Sequence, residues 1–169
     1  MLYEGQEDQT KALLSKVLIM VIVVCMLVVS IIYLNSRWSK IRDVRRRGDF
    51  QSITKALEFY SSEYGHFPVT EDDDGDGWDK SNDLEDLNFL EPLVSSGLLT
   101  FRPFDPKNDT EYYYRYQKFH RGDFGCKRDF AIFQVTQFET ETDQHGSGEC
   151  PDIDFTKLVP NGYTWLGYE

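Results

Sequence analysis

"VLIMVIVVCMLVVSIIYLNSRWSKIRDVRRRGDFQSITKALEFYSSEYG", residues 17–65, decides the fold. Its opening stretch, 17–34, holds no charge and one clearly polar side chain, Ser30. At about 1.5 Å per helical residue it covers roughly 27 Å, close to the hydrocarbon thickness of a bilayer. The run is apolar all round, unlike the amphipathic helix of a small soluble domain. No small-x-small cleavage site follows it, because "LNSRWSK" (34–40) is bulky and polar, which argues against a cleaved signal peptide. Residues 17–34 are read as one membrane-spanning helix that contacts the lipid bilayer, with residues 1–16 as an N-terminal tail.

Beyond Leu34 the pattern becomes periodic. Trp38, Ile41 and Val44 fall three apart, and Phe50, Ile53, Leu57, Tyr60 and Tyr64 follow spacings of three and four, a stripe on one helical face. Proline is absent from Met1 to Phe67. Gly65 can close the helix in a left-handed conformation, and Pro68 prevents its continuation. One helix is therefore expected from about Thr10 to Tyr64, with residues 35–65 as an amphipathic continuation whose stripe needs an apolar cover.

Residues 66–169 supply that cover as a globular head. Residues 83–96 read as a short helix with Leu84, Leu87, Leu90 and Val94 on its apolar face, capped by Ser81, Asn82 or Asp83. "GLLTFRPFDPKND" (97–109) is turn-rich. "TEYYYRYQKF" (110–119) and "RDFAIFQVTQF" (128–138) read as strands by aromatic content and alternation, and "GYTWLGY" (162–168) as a third. A helix followed by antiparallel strands gives an α+β fold, with a small antiparallel sheet packed on the helix stripe.

The charge is unevenly spread. Residues 48–169 carry 25 acidic against 10 basic side chains, whereas residues 17–47 carry six basic side chains and one acid, Asp43. So acidic a head repels nucleic acid, which is set aside as a partner, and favours basic surfaces or cations. His66, His120 and His145 are scattered, and no nucleophile, nucleotide or acid/base motif stands out, so an enzyme is not expected.

The order of these elements resembles the type IV pilin superfamily, in particular the major pseudopilins of type II secretion systems. The residues that carry the resemblance are "RRRGDFQSITKALEFYSSEYGHFP" (45–68), "LEPLVSSGLLTFRPFDP" (90–106) and "YYYRYQ" (112–117). It implies a structural subunit of a secretion or surface-filament machine, partnered by other pilin-like subunits or by membrane proteins of the assembly machine. The chain departs from the family at the processing site. "TKALLSKVLIMVIVV" (10–24) has neither the Gly before the cleavage point nor the Glu at the fifth position of the apolar run. A retained N-terminal tail follows, and the alternative function is a stand-alone membrane-anchored binding module, an adhesin or receptor on a helical stalk.

Topology draws opposing signals. Arg37, Lys40, Arg42, Arg45, Arg46 and Arg47 follow the apolar run, and by the positive-inside rule alone they would hold the head in the cytoplasm. The resemblance implies the reverse, a cytoplasmic N-terminus and a head in the periplasm or at the cell surface. Cys126 and Cys150, the two cysteines of the head, would pair in such an oxidising compartment; two unrelated buried thiols are the alternative.

A last feature is the loop "EDDDGDGWDKSND" (71–83). Asp72, Asp74 and Asp76 stand at alternate positions before Gly77, the start of an EF-hand-type loop whose carboxylates converge on one hard cation. Trp78 would add its carbonyl and Asp83 the carboxylate at position 12. Lys80 is a poor entry at position 9, where Asp79 could substitute. Oxygen-only ligands favour Ca²⁺. A solvated acidic loop is the competing reading. A second acidic stretch, 139–154, lacks the alternating pattern.

Overall fold

A computed structural model of the chain describes residues 4–70, 75–83, 88–140 and 145–169. The chain divides into two compact units, residues 1–40 and 41–169. Helix α1, Glu4–Tyr64, begins in the first and ends in the second.

In the first unit the apolar side chains from Leu13 to Leu34 are all exposed. The helix is long and apolar enough to cross a membrane, and none of its most apolar stretch is buried by protein. Left in water, such a surface would cost about 25 cal/mol per Å² of exposed apolar area. At the end of the run, the Arg37 Nε donates to the Tyr33 hydroxyl at 3.0 Å, one helical turn back.

The second unit is α+β. Residues 41–64 of α1 are followed by β1 (Asp79–Lys80), α2 (Glu91–Ser95), β2 (Tyr114–Phe119), β3 (Phe130–Val135), β4 (His145–Gly146), β5 (Glu149–Cys150), β6 (Ile153–Asp154) and β7 (Tyr163–Tyr168). The main sheet has the order β1-β2-β3-β7-β4, and β5 pairs with β6 in a separate hairpin. All main-sheet pairings are antiparallel except β4 with β7, a two-residue parallel edge the sequence did not announce. Among the described residues both edge strands are two residues long.

The sheet is a middle layer. Tyr116, Phe133 and Trp165 are in register across β2, β3 and β7. With Tyr114, Ala131 and Val135 they face Ile53, Ala56 and Leu57 of α1, and Phe67, Phe89, Leu90, Leu93 and Phe138 close this core. Residues of the opposite parity, Phe119, Phe130, Ile132 and Leu166, meet Trp78, Cys126, Cys150, Ile153 and Phe155 in a second core. This explains why every residue of β3 is buried although its sequence alternates only weakly: both faces are covered. The buried tyrosines keep their polar tips satisfied, Tyr114 donating to Asp49 Oδ2 at 2.8 Å and Tyr116 to the Pro68 carbonyl at 2.7 Å.

The helix stripe lands where the spacing places it. Ile53 and Leu57 are fully buried, Phe50 and Tyr60 are partly buried against the core, and Tyr64 is exposed. Gly65 takes φ +76° and donates its N–H to the Ser61 carbonyl at 2.9 Å, closing the helix. The earlier apolar positions differ: within the second unit Ile41 and Val44 remain 56% and 64% exposed, so its core covers only the later stripe, and Trp38 of the first unit is 58% exposed.

The helix expected over 83–96 is corrected to Glu91–Ser95 among the described residues. Leu90 sits at φ +52°, a left-handed conformation through which a right-handed helix cannot run, and Pro92 falls in the first turn. Ser81 does not cap it. Its hydroxyl donates to Asn108 Oδ1 at 2.8 Å and accepts the Tyr114 N–H at 2.9 Å. Leu84 and Leu87 lie outside the described residues.

Candidate functional site

The acidic loop runs into β1. Asp72 and Asp74 lie outside the described residues. Gly75 and Gly77 take φ of +76° and +90°, values that favour glycine, and a Cβ on Gly77 would meet Gln117 Nε2 at 2.8 Å. Asp76 Oδ1 accepts the Trp78 N–H at 2.9 Å, and Asp76 Oδ2 pairs with the Lys80 ammonium. The position read as a poor metal entry thus supplies a cation of the chain's own beside one candidate ligand. The Trp78 ring carries the Arg115 guanidinium 4.3 Å from its centroid and meets Phe119 edge-on. Burial pushes Arg115 below the usual guanidinium range.

Asp79 faces the other way. It is buried in β1 opposite Tyr116, and its Oδ2 accepts the Leu90 N–H at 3.2 Å. That bond holds the left-handed turn at Leu90 in place. Asp83, at position 12 of the loop, is half-buried. Among the described residues, no three His, Cys, Asp or Glu side chains form a group able to hold a metal ion.

Among the described residues, a denser charged constellation lies elsewhere. Arg46 is fully buried on α1. Its Nε and Nη2 donate to the two oxygens of Asp105 at 2.6 and 2.9 Å. Its Nη1 donates to Asp43 Oδ1 at 2.7 Å and to Glu139 Oε1 at 3.0 Å. Asp43 Oδ1 also accepts the Glu139 N–H at 3.0 Å, and Oδ2 accepts the N–H and hydroxyl of Thr140 at 2.8 and 2.6 Å. Arg42 grips Glu139 with both ends of its fork at 2.6 Å, and the Arg46 guanidinium lies 4.8 Å from the Tyr112 ring centroid. Charge pairs removed from water need such multiple, well-directed partners to hold their ionised forms.

The electrostatics follow from this bonding. Burial opposes the Arg46 charge, but hydrogen bonds and charge from Asp105, then Glu139 and Asp43, outweigh it, and its pKa is raised. Burial also pushes the Asp43 carboxyl upward, while the Glu139 N–H, Thr140 and Arg46 pull harder and hold it below the usual carboxylate range. Asp49 moves the other way: burial raises it despite the Tyr114 hydroxyl and Arg45, whose Nε stands 3.5 Å from Asp49 Oδ2.

The sequence reading took the basic cluster 37–47 as a topology signal and missed this hub. A signal was present. Asp43, Arg46, Phe50, Ile53 and Leu57 follow spacings of three, four, three and four, so the buried stripe extends through two charged positions. Asp105 belongs to the "FDP" turn, and its Oδ1 also accepts the Lys107 N–H at 2.8 Å.

Cys126 and Cys150 form a disulfide with Cα atoms 5.3 Å apart. It ties the segment after β2 to β5 in the outer core, and the Tyr168 hydroxyl lies 3.2 Å from Cys126 Sγ. Cys25 is a free, exposed thiol in the apolar run.

Neither family models nor curated proteins nor solved structures gave a match to this chain.

Proposed function

We propose that the chain is a membrane-anchored, pilin-like structural subunit of a secretion or surface-filament machine, with its head outside the cytoplasm and stabilised by calcium. The observation that carries this reading is the double use of α1. Its first part is apolar and uncovered by protein, and its later part supplies Ile53, Ala56 and Leu57 to the core of the α+β head. The Cys126–Cys150 disulfide supports an oxidising compartment for the head. The basic cluster weighs less against that placement, since Arg46 and Arg42 have structural tasks inside the head and need no anionic lipid to explain them. For the acidic loop, the left-handed Gly77 after Asp76 suits a calcium turn, and the ion would have to displace Lys80.

Ile41, Val44 and Phe59 share the side of α1 turned away from the sheet and stay exposed, the surface on which a neighbouring subunit's helix would pack. Cysteine placed at Val44 or Phe59 in a Cys25→Ser background, oxidised in native membranes, tests this. A ladder of cross-linked copies, or adducts to other pilin-like proteins, is expected. Monomer alone would favour the second reading, a stand-alone binding module, which the missing Gly and Glu of "TKALLSKVLIMVIVV" already recommend.

A further inference from the structure

A concavity of about 580 Å³ opens on the outer layer of the head, lined among others by Ser147, Glu149, Asp154, Thr156, Leu166 and Tyr168. Its volume lies within the usual range for ligand sites, roughly 300–1,000 Å³. Glu149 and Asp154 are direct cross-strand partners in the β5–β6 hairpin. Such partners hold their Cβ atoms about 5 Å apart, and like charges placed so repel. The hairpin cannot easily relax this pairing, because Cys150, next to Glu149, is tied to Cys126.

The two carboxylates are differently engaged. Asp154 Oδ1 accepts the N–H and hydroxyl of Thr156 at 3.0 and 2.6 Å, and these bonds hold the carboxyl below its usual range. Among the described residues its other oxygen has the Lys157 ammonium at 3.6 Å, on a side chain that is 75% exposed. The Glu149 side chain has no hydrogen bond or ion pair among the described residues. Leu166 and Tyr168 add apolar surface, and Arg128 stands 4.6 Å from the centroid of the Tyr168 ring, so a guanidinium already packs on that ring.

We propose that this concavity binds a basic side chain, lysine or arginine, presented by a protein partner. The charged head would sit between Glu149 and Asp154, displacing Lys157, with its alkyl stem along Leu166. Arginine fits best, since its planar fork can bridge two carboxylates while an ammonium makes a point contact. The strong excess of acidic residues in 48–169 would steer a basic partner toward the head. This proposal does not depend on filament assembly or on calcium at the 71–83 loop.

The test is calorimetric titration of the full-length protein in a zwitterionic detergent with Ac-Gly-Arg-Gly-NH₂ and with its citrulline counterpart. Saturable binding of the arginine peptide alone is expected. Glu149→Gln should weaken it about fivefold, the scale of one partly exposed charge pair. Glu58→Gln, the same charge change at an exposed position on α1, should leave it within error. Equal binding of the citrulline peptide, equal effects of the two substitutions, or no saturable binding would each overturn the proposal. So would calcium binding that Glu149→Gln abolishes while the peptide is ignored, which would make the concavity a metal site.

Discussion

The Arg46 hub and the acidic loop are both clusters of charge, and the fold treats them in opposite ways. In the hub, Asp43, Arg46 and Asp105 are about 1% exposed or less and each is bonded several times over. In the loop, Asp76 keeps a side chain 48% exposed and pairs with Lys80 four residues on. The loop has the higher density of acids along the chain, yet the hub holds the charges that are taken out of water. Burial, rather than local charge density, sets how much a charge matters.

The sharpest way to break this contrast is Arg46→Ala. It leaves Asp105 and Asp43 buried without their cation, and a loss of about 3–5 kcal/mol is expected in denaturant melts of the full-length protein in detergent. Arg46→Met combined with Asp105→Leu removes the cation together with its bidentate partner, leaves Asp43 to the Glu139 N–H and Thr140, and should lose less than Arg46→Ala alone. If Arg46→Ala melts like wild type, the hub is not what the geometry indicates. Acid probes the same hub. Asp43 is held below its unfolded value, so its contribution is complete above about pH 4 and is lost as pH falls through the lowered folded value. Asp49, raised in the fold, works in the opposite sense: its ionised form is disfavoured at neutral pH, and that penalty is relieved as pH falls through its raised value. A stability–pH profile of Asp43→Asn should therefore be flatter on the acid side than that of wild type.

Next in size is the outer layer. Replacing Cys126 and Cys150 by serine opens a loop of 24 positions and should cost about 3 kcal/mol by chain entropy. Mass mapping of thiol-blocked native membranes gives the companion result. Free Cys126 and Cys150 there would place the head in a reducing compartment.

Smaller effects are expected in the acidic loop. Gly77→Ala must adopt φ +90° beside Gln117, whose flexible end can yield, so about 1 kcal/mol is expected. Asp76→Ala without calcium should fall within about 0.5 kcal/mol of wild type, because it removes one partly exposed pair. With calcium the two readings separate. Binding to the folded state alone adds about 2.7 kcal/mol at a hundredfold excess over Kd, and Asp76→Ala should forfeit that gain. Equal melting of wild type with calcium and with chelator would falsify the site and leave Lys80 as the cation of the loop.

The sequence by itself determined what depends on neighbours a few residues away. Eighteen uncharged residues suffice to read a bilayer-length helix, because hydrophobicity and 1.5 Å of rise per residue are local facts. The stripe through Ile53 and Leu57, its closure at Gly65 and the three long strands were legible for the same reason, since periods of 3.6 and 2 are written into adjacent residues. Tertiary structure decided the rest. Arg46 looks identical to Arg45 and Arg47 until the fold brings Asp105 from 59 positions away and Glu139 from 93. Asp79 reads as one more loop acid until it turns under the core to hold the Leu90 amide, the contact that sets where α2 can start. A carboxylate's role is set by what surrounds it in space, and the composition of its own loop does not contain that information.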